Sequence, residues 1–125
     1  MTTVLVPLPP GQAFELFTSG MSTWWPLSTH SVGKHEATGV RFEGAVGGRI
    51  VEYGVQGPVG YWGTVSDWDP PLEVSFTWHP GSDPKRAGHV TVRFRHVAAG
   101  TEVELTHTPW DGWDHVLDFY VRHSR

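Results

Sequence analysis

Eight His, thirteen Asp and Glu, and no Cys define the reactive groups that this 125-residue chain can bring together. Without thiols there is no disulfide framework, no thiolate metal site and no cysteine nucleophile. His30 and His35 lie five apart with Glu36 beside the second. His79, His89, His96 and His107 are spread over extended stretches, and His115 and His123 fall in the last amphipathic stretch. None of these spacings matches H-E-x-x-H or another metal-ligand pattern, so neither a metal nor a cofactor is expected. No Ser or Thr stands in a G-x-S-x-G elbow, and Gly47-Gly48 reads as a hairpin turn rather than a phosphate cradle. No catalytic residue is assigned.

Two kinds of polar residue remain of interest because of the face on which they fall. His96 and His107 share the alternation of Phe94 and Leu105, so both are expected to turn inward, where an imidazole must find hydrogen-bond partners. A strand-end His bonded to backbone or water is one reading, and a polar anchor for a ligand in an apolar cavity is the other. Glu52 turns inward if Ile50 does, and is merely wet if Val51 and Tyr53 face inward instead.

The elements that must position these residues follow from the apolar periodicity. Thr2 to Val6 reads as a strand stopped by Pro7. Pro9 and Pro10 open a helix with Ala13, Phe14, Leu16 and Phe17 on one stripe, closed by Gly20, and Met21 to Trp25 make a second short turn ended by Pro26. Ser28 to Ala37 lacks periodicity and reads as a loop. From Val40 the period becomes two, which predicts strands around Val40–Phe42, Arg49–Tyr53, Tyr61–Trp68, Leu72–Trp78, Val90–His96 and Val103–His107. Leu72, Val74, Phe76, Trp78, Val90, Val92, Phe94, Val103 and Leu105 should share the inner face. With Ala98-Ala99-Gly100 as the turn, opposed residue numbers on the last two strands should sum to 197 or 199, setting arginines against glutamates on the wet face. Trp113, Val116, Leu117, Tyr120 and Val121 then form one helical stripe. Phe119 lies about 140° from the centre of that stripe, so it should be exposed, as an ordinary surface aromatic or as a homodimer contact.

Composition narrows the classes further. A net charge of -4 without a basic block does not suit nucleic acid. No apolar run approaches the ~18 residues of a membrane span, and the first 20 residues lack a secretion signal, so a soluble, cytoplasmic protein is expected. Seven Trp, with aromatics at 13%, point to large core fillers or to an aromatic-lined cavity.

Several strings, in order, carry a family resemblance. They are Pro9–Gly20 with Trp24-Trp25-Pro26, Gly47-Gly48-Arg49-Ile50-Val51-Glu52, Trp62-Gly63-Thr64-Val65 with Trp68-Asp69-Pro70-Pro71, Phe76-Thr77-Trp78, and Gly100 through His107. With this element order the chain resembles the START-like or Bet v 1-like (SRPBCC) superfamily, and within it bacterial relatives of the C-terminal domain of the Hsp90 ATPase activator (Aha1). The resemblance implies a single α+β domain over residues 1–125, with a helix-grip fold in which a curved antiparallel sheet wraps a C-terminal helix. It departs from the pattern at Trp110-Asp111-Gly112-Trp113, which joins the last strand directly to a short final helix. A natural deletion and a segment absent from the chain both account for that junction.

The reading that follows is a domain that binds a small hydrophobic or amphipathic molecule. Its expected ligand-binding residues are Trp24, Phe42, Phe76, Trp78, Phe94, Leu105, His107, Trp113, Leu117, Tyr120 and Glu52. A protein-interaction module of the co-chaperone type is the first alternative, and a cyclase or hydrolase of the START-like kind is the second.

Overall fold

A computed structural model of the chain describes residues 1–27, 30–33, 36–79, 85, 87–108 and 113–125, without the side chains of Asp114 and His115. Expectations that involved His35 and the Trp110-Asp111-Gly112 junction fall wholly or partly outside the described residues.

Strand β1 (Thr2–Val6) leads into helix α1 (Pro10–Phe17), where Pro10 sits in the first turn and costs no helical N–H. Ala13, Phe14 and Phe17 form its buried stripe, and the Thr18 hydroxyl, donating to the Phe14 carbonyl at 2.8 Å, closes its last turn. Helix α2 (Met21–Trp24) is a single turn. Trp25 then leaves it in an extended conformation, as the residue before a proline prefers.

Six more strands complete the sheet: β2 (Ala37–Phe42), β3 (Arg49–Gly54), β4 (Gly57–Asp69), β5 (Glu73–Trp78), β6 (Gly88–Val97) and β7 (Gly100–Thr108). Their order is β1-β7-β6-β5-β4-β3-β2, with every neighbouring pair antiparallel. Strand β4 starts at Gly57, four residues earlier than expected. Gly54 pairs with Gly57 across the tight Val55-Gln56 loop, and Gly57 takes φ +118, which a side chain rarely allows. The thirteen-residue β4 pairs with β3 along its first part and with β5 along its second, with shifts in register on both sides. Such bulges bend a sheet and increase its twist. At the bend, Gly63 passes so close to β5 that a Cβ would lie 1.7 Å from the Thr77 carbonyl oxygen, so only glycine fits.

The inner face carries Val74, Phe76, Val90, Val92, Phe94, Val103 and Leu105, all buried. Leu72 is a correction. It is 58% exposed because it belongs to the β4–β5 turn, where its N–H bonds to the Asp69 carbonyl, and not to the strand. Between β6 and β7 the opposed numbers sum to 197. Arg93 faces Glu104, and Arg95 faces Glu102 with a 2.8 Å ion pair on the wet face.

Helix α3 (Asp114–Ser124) contacts β1, α1 and α2, so the three helices form one layer against the inner face of the sheet. Arg122 and His123 in its last turn suit the negative end of the helix dipole. Trp113, Val116, Leu117 and Tyr120 are buried as expected. Phe119 is not exposed: it is half-buried and packed against the core, with the Arg122 guanidinium 5.9 Å from its ring centre. Because α3 nestles among neighbouring elements, its buried arc is wider than a single stripe. The arrangement is the α+β helix-grip fold.

Candidate functional site

Four indole rings from four separate places in the chain meet at one end of the inner layer. Trp25 follows α2, Trp62 lies in β4, Trp78 ends β5 and Trp113 precedes α3. The Trp25 ring centre is 5.2 Å from Trp62, 5.5 Å from Trp78 and 5.6 Å from Trp113. Trp78 is in turn 5.7 Å from Trp62 and 5.0 Å from Trp113. All five pairs are tilted or edge-on, the arrangement that aromatic quadrupoles favour, each worth ~0.5–1.5 kcal/mol beyond area burial.

Three of the four indole N–H groups are used internally. Trp25 donates to the His30 carbonyl at 2.8 Å, Trp62 to Glu52 Oε1 at 2.9 Å, and Trp113 to His107 Nδ1 at 2.9 Å. Trp78 is half-buried, and its N–H meets no acceptor among the described residues. The cluster therefore combines apolar faces with one polar donor at its half-exposed member.

His107 borders this cluster. Since Nδ1 accepts the Trp113 N–H, the imidazole carries its proton on Nε2. Its ring lies against Gly88, where a Cβ would come within 2.5 Å of Nε2. His96, expected to share the inward orientation, is exposed instead: it stands one residue before the end of β6, while Thr101 opposite it is buried and bonded to the Leu8 carbonyl.

Glu52 is fully buried alongside Ile50, and Val51 is buried too. Register shifts on either side of Val51-Glu52 break the simple alternation, so both residues turn from solvent. The Glu52 carboxylate accepts the Val32 N–H on Oε1 and the Gly33 N–H on Oε2, each at 2.7 Å, besides the Trp62 indole N–H.

The remaining expected ligand residues divide between two places. Phe76 lies 5.7 Å from Trp78 and 5.4 Å from Phe42, which puts both behind the indole cluster. Trp24 belongs to the centre of the helix layer, with its N–H on the Leu16 carbonyl and its ring 5.5 Å from Phe17 and 5.1 Å from Tyr120. Phe94 packs on Phe14 and Phe17, and Leu105 and Leu117 are buried in the same core. Tyr120 donates its hydroxyl to the Ala13 carbonyl at 2.8 Å, and burial pushes that hydroxyl well above the ordinary tyrosine range.

Trp25 and Trp62 are the two cluster members that sequence reasoning left out of the expected ligand-binding residues. For Trp25 the signal is the string Trp24-Trp25-Pro26, in which the residue before proline takes an extended backbone. The Val32 and Gly33 amides leave no signal in side-chain type.

Hollows of about 500, 850 and 280 Å³ lie elsewhere: between α1 and α3, beside the β3–β4 hairpin, and over Phe94 and the Arg93–Glu104 face. None is lined by the indole cluster. Among the described residues no group of three His, Asp or Glu is placed to hold a metal ion, and no helix is long and apolar enough to cross a membrane.

The family model described as activator of Hsp90 ATPase homolog 1-like protein matches residues 7–121. The chain belongs to that family. Members of this Hsp90 activator-like family share a fold typical of ligand-binding domains. Among solved structures, protein MLL2253 from Mesorhizobium loti has a TM-score of 0.69 at 17% identity, over 97% of this chain and 92% of that one. CalU16 from Micromonospora echinospora has a TM-score of 0.67 at 18% identity, over 99% and 71%. A more similar sequence is the anthrahydroquino-gama-pyrone synthase Txn09, complexed with SUM: 34% identity and a TM-score of 0.62, over 98% of this chain and 79% of that one. No curated protein sequence matches the chain.

Proposed function

We propose that this Hsp90 activator-like domain binds a flat, hydrophobic small molecule at the Trp25, Trp62, Trp78 and Trp113 cluster, in a site that opens between the rings. The observation that carries the reading is Trp78. It is a half-exposed indole, flanked by three other indoles, with an N–H that no described protein group accepts. Such a group stacks on an aromatic ligand and donates to a carbonyl or phenol oxygen at its rim. His107 stands beside Trp113 as a second polar group, and Phe42 and Phe76 back the cluster. Trp24, Phe94, Leu105, Leu117 and Tyr120 act in this reading as the packed support beneath the site, and Glu52 as the support of its rings. The 34% identical pyrone synthase favours a polycyclic aromatic ligand.

Native mass spectrometry of protein purified from cells tests this. A bound species of a few hundred daltons that is lost in Trp78→Ala is the expected result. A bound species retained equally by Trp78→Ala contradicts the assignment.

A second reading, that the domain also transforms what it binds, is favoured by the synthase named above. In that case His107, which accepts the Trp113 N–H at the edge of the cluster, is the side chain placed to exchange a proton with the ligand. Turnover of a polycyclic ligand by the wild type and not by His107→Gln is its test.

A further inference from the structure

We propose that Glu52 is the positioning residue of the indole site: its carboxylate holds residues 30–33 as a strap against Trp25 and Trp62, and ligand passes from the half-exposed Trp78 in between those two rings only when that hold is released. The proposal rests on the reading that the indole cluster is the binding site.

Glu52 has no exposed surface, yet no cationic side chain among the described residues pairs with it. Its partners are three N–H groups. Two belong to the strap and the third to Trp62. At the other end of the strap, Trp25 gives its indole N–H to the His30 carbonyl, and the His30 N–H returns to the Pro26 carbonyl. One side chain thus fixes two of the four indoles, Trp62 directly and Trp25 through the strap. The fit is close at Gly33, where a Cβ would lie 3.1 Å from Oε2.

Hydrogen bonds to a carboxylate are shorter and stronger than neutral ones, and burying a carboxylate without them is costly. The closed strap and the burial of Glu52 therefore depend on each other. If the strap lifts, the carboxylate gains water and Trp25 loses the carbonyl that orients it. That coupling gives an element with two arrangements rather than a graded one. Among the described residues the Trp25 ring is in contact with Trp62, and Trp78 with both, so entry between these rings requires one of them to move.

The probe is anthraquinone-2-sulfonate, a flat tricyclic anion, mixed in a stopped-flow instrument with wild type, Glu52→Gln and Gly33→Ala while tryptophan fluorescence is followed. In Glu52→Gln the new NH2 group faces N–H donors, so the strap should open more often. Association and dissociation rates should both rise several-fold, with a smaller change in affinity. Gly33→Ala should act in the same direction from the strap side with Glu52 intact, and it decides alone if near-UV circular dichroism shows Glu52→Gln unfolded. A merely structural role would lower stability and leave the association rate unchanged. Equal association rates in the folded variants and the wild type overturn the proposal and leave the site standing. Absence of saturable quenching in all three proteins overturns the site reading and the strap with it.

Discussion

Trp113 donates its indole N–H to His107 Nδ1 across 2.9 Å, which ties the residue that begins α3 to the end of β7. Trp113 is only 4% exposed, so its N–H has no ready replacement partner in water. His107→Phe should therefore cost ~1–3 kcal/mol, the range for a buried donor left unsatisfied. His107→Gln, which offers an oxygen, should cost less. Urea melts of the three proteins check the order.

Leu117 and Phe119 lie two positions apart on α3 but differ in burial. Leu117→Ala should cost ~2–5 kcal/mol, like other fully buried leucines. Phe119 is half-buried against the core, and its truncation should fall at about 1–2 kcal/mol, between surface and core values. Denaturant unfolding with unchanged slopes would measure both.

Tyr120 gives stability a dependence on alkaline pH. Its hydroxyl stays protonated in the folded chain well above the usual range, while in the unfolded chain it ionises near pH ~10. Above that pH the unfolded state binds fewer protons than the folded one, so this residue's contribution falls as pH rises. At pH 7 Tyr120→Phe should lose about 1 kcal/mol with the bond to Ala13. The gap between the two proteins should narrow above pH ~10, as paired melts at pH 7 and pH 10.5 would register.

Arg95 and Glu102 oppose each other on the wet face at 2.8 Å, with the arginine side chain 70% exposed. A double-mutant cycle should give a coupling of only ~0.2–1 kcal/mol, reduced further by salt. The pair thus selects the register more than it adds stability.

That register was legible because alternation and a short turn leave few choices, and the charges on β6 and β7 agree with one of them. The seven strands and three helices were legible for the same reason, since apolar residues at period two or near 3.6 must share a face. Leu72 continued the pattern of β5 but fell to the turn, because backbone hydrogen bonding at Asp69 outweighed its apolar character. Burial at Glu52 could not be decided from alternation, because the bulges of β3 bury three successive residues. The indole cluster was half legible. Trp78 and Trp113 carried the strand and helix periods, whereas Trp25 belongs to no periodic element and is placed by a proline and by amides of the strap.

If the four-indole cluster receives a flat hydrophobic molecule, removal of the Trp78 ring must weaken its binding. The measurement is an equilibrium titration with anthraquinone-2-sulfonate, followed by tryptophan quenching, on wild type, Trp78→Ala and Phe119→Ala. Saturable one-to-one quenching is expected in wild type and Phe119→Ala, with an affinity at least about tenfold weaker in Trp78→Ala, a loss of ~1.4 kcal/mol. Equal affinity in all three proteins, or quenching that never saturates, would contradict binding at the cluster.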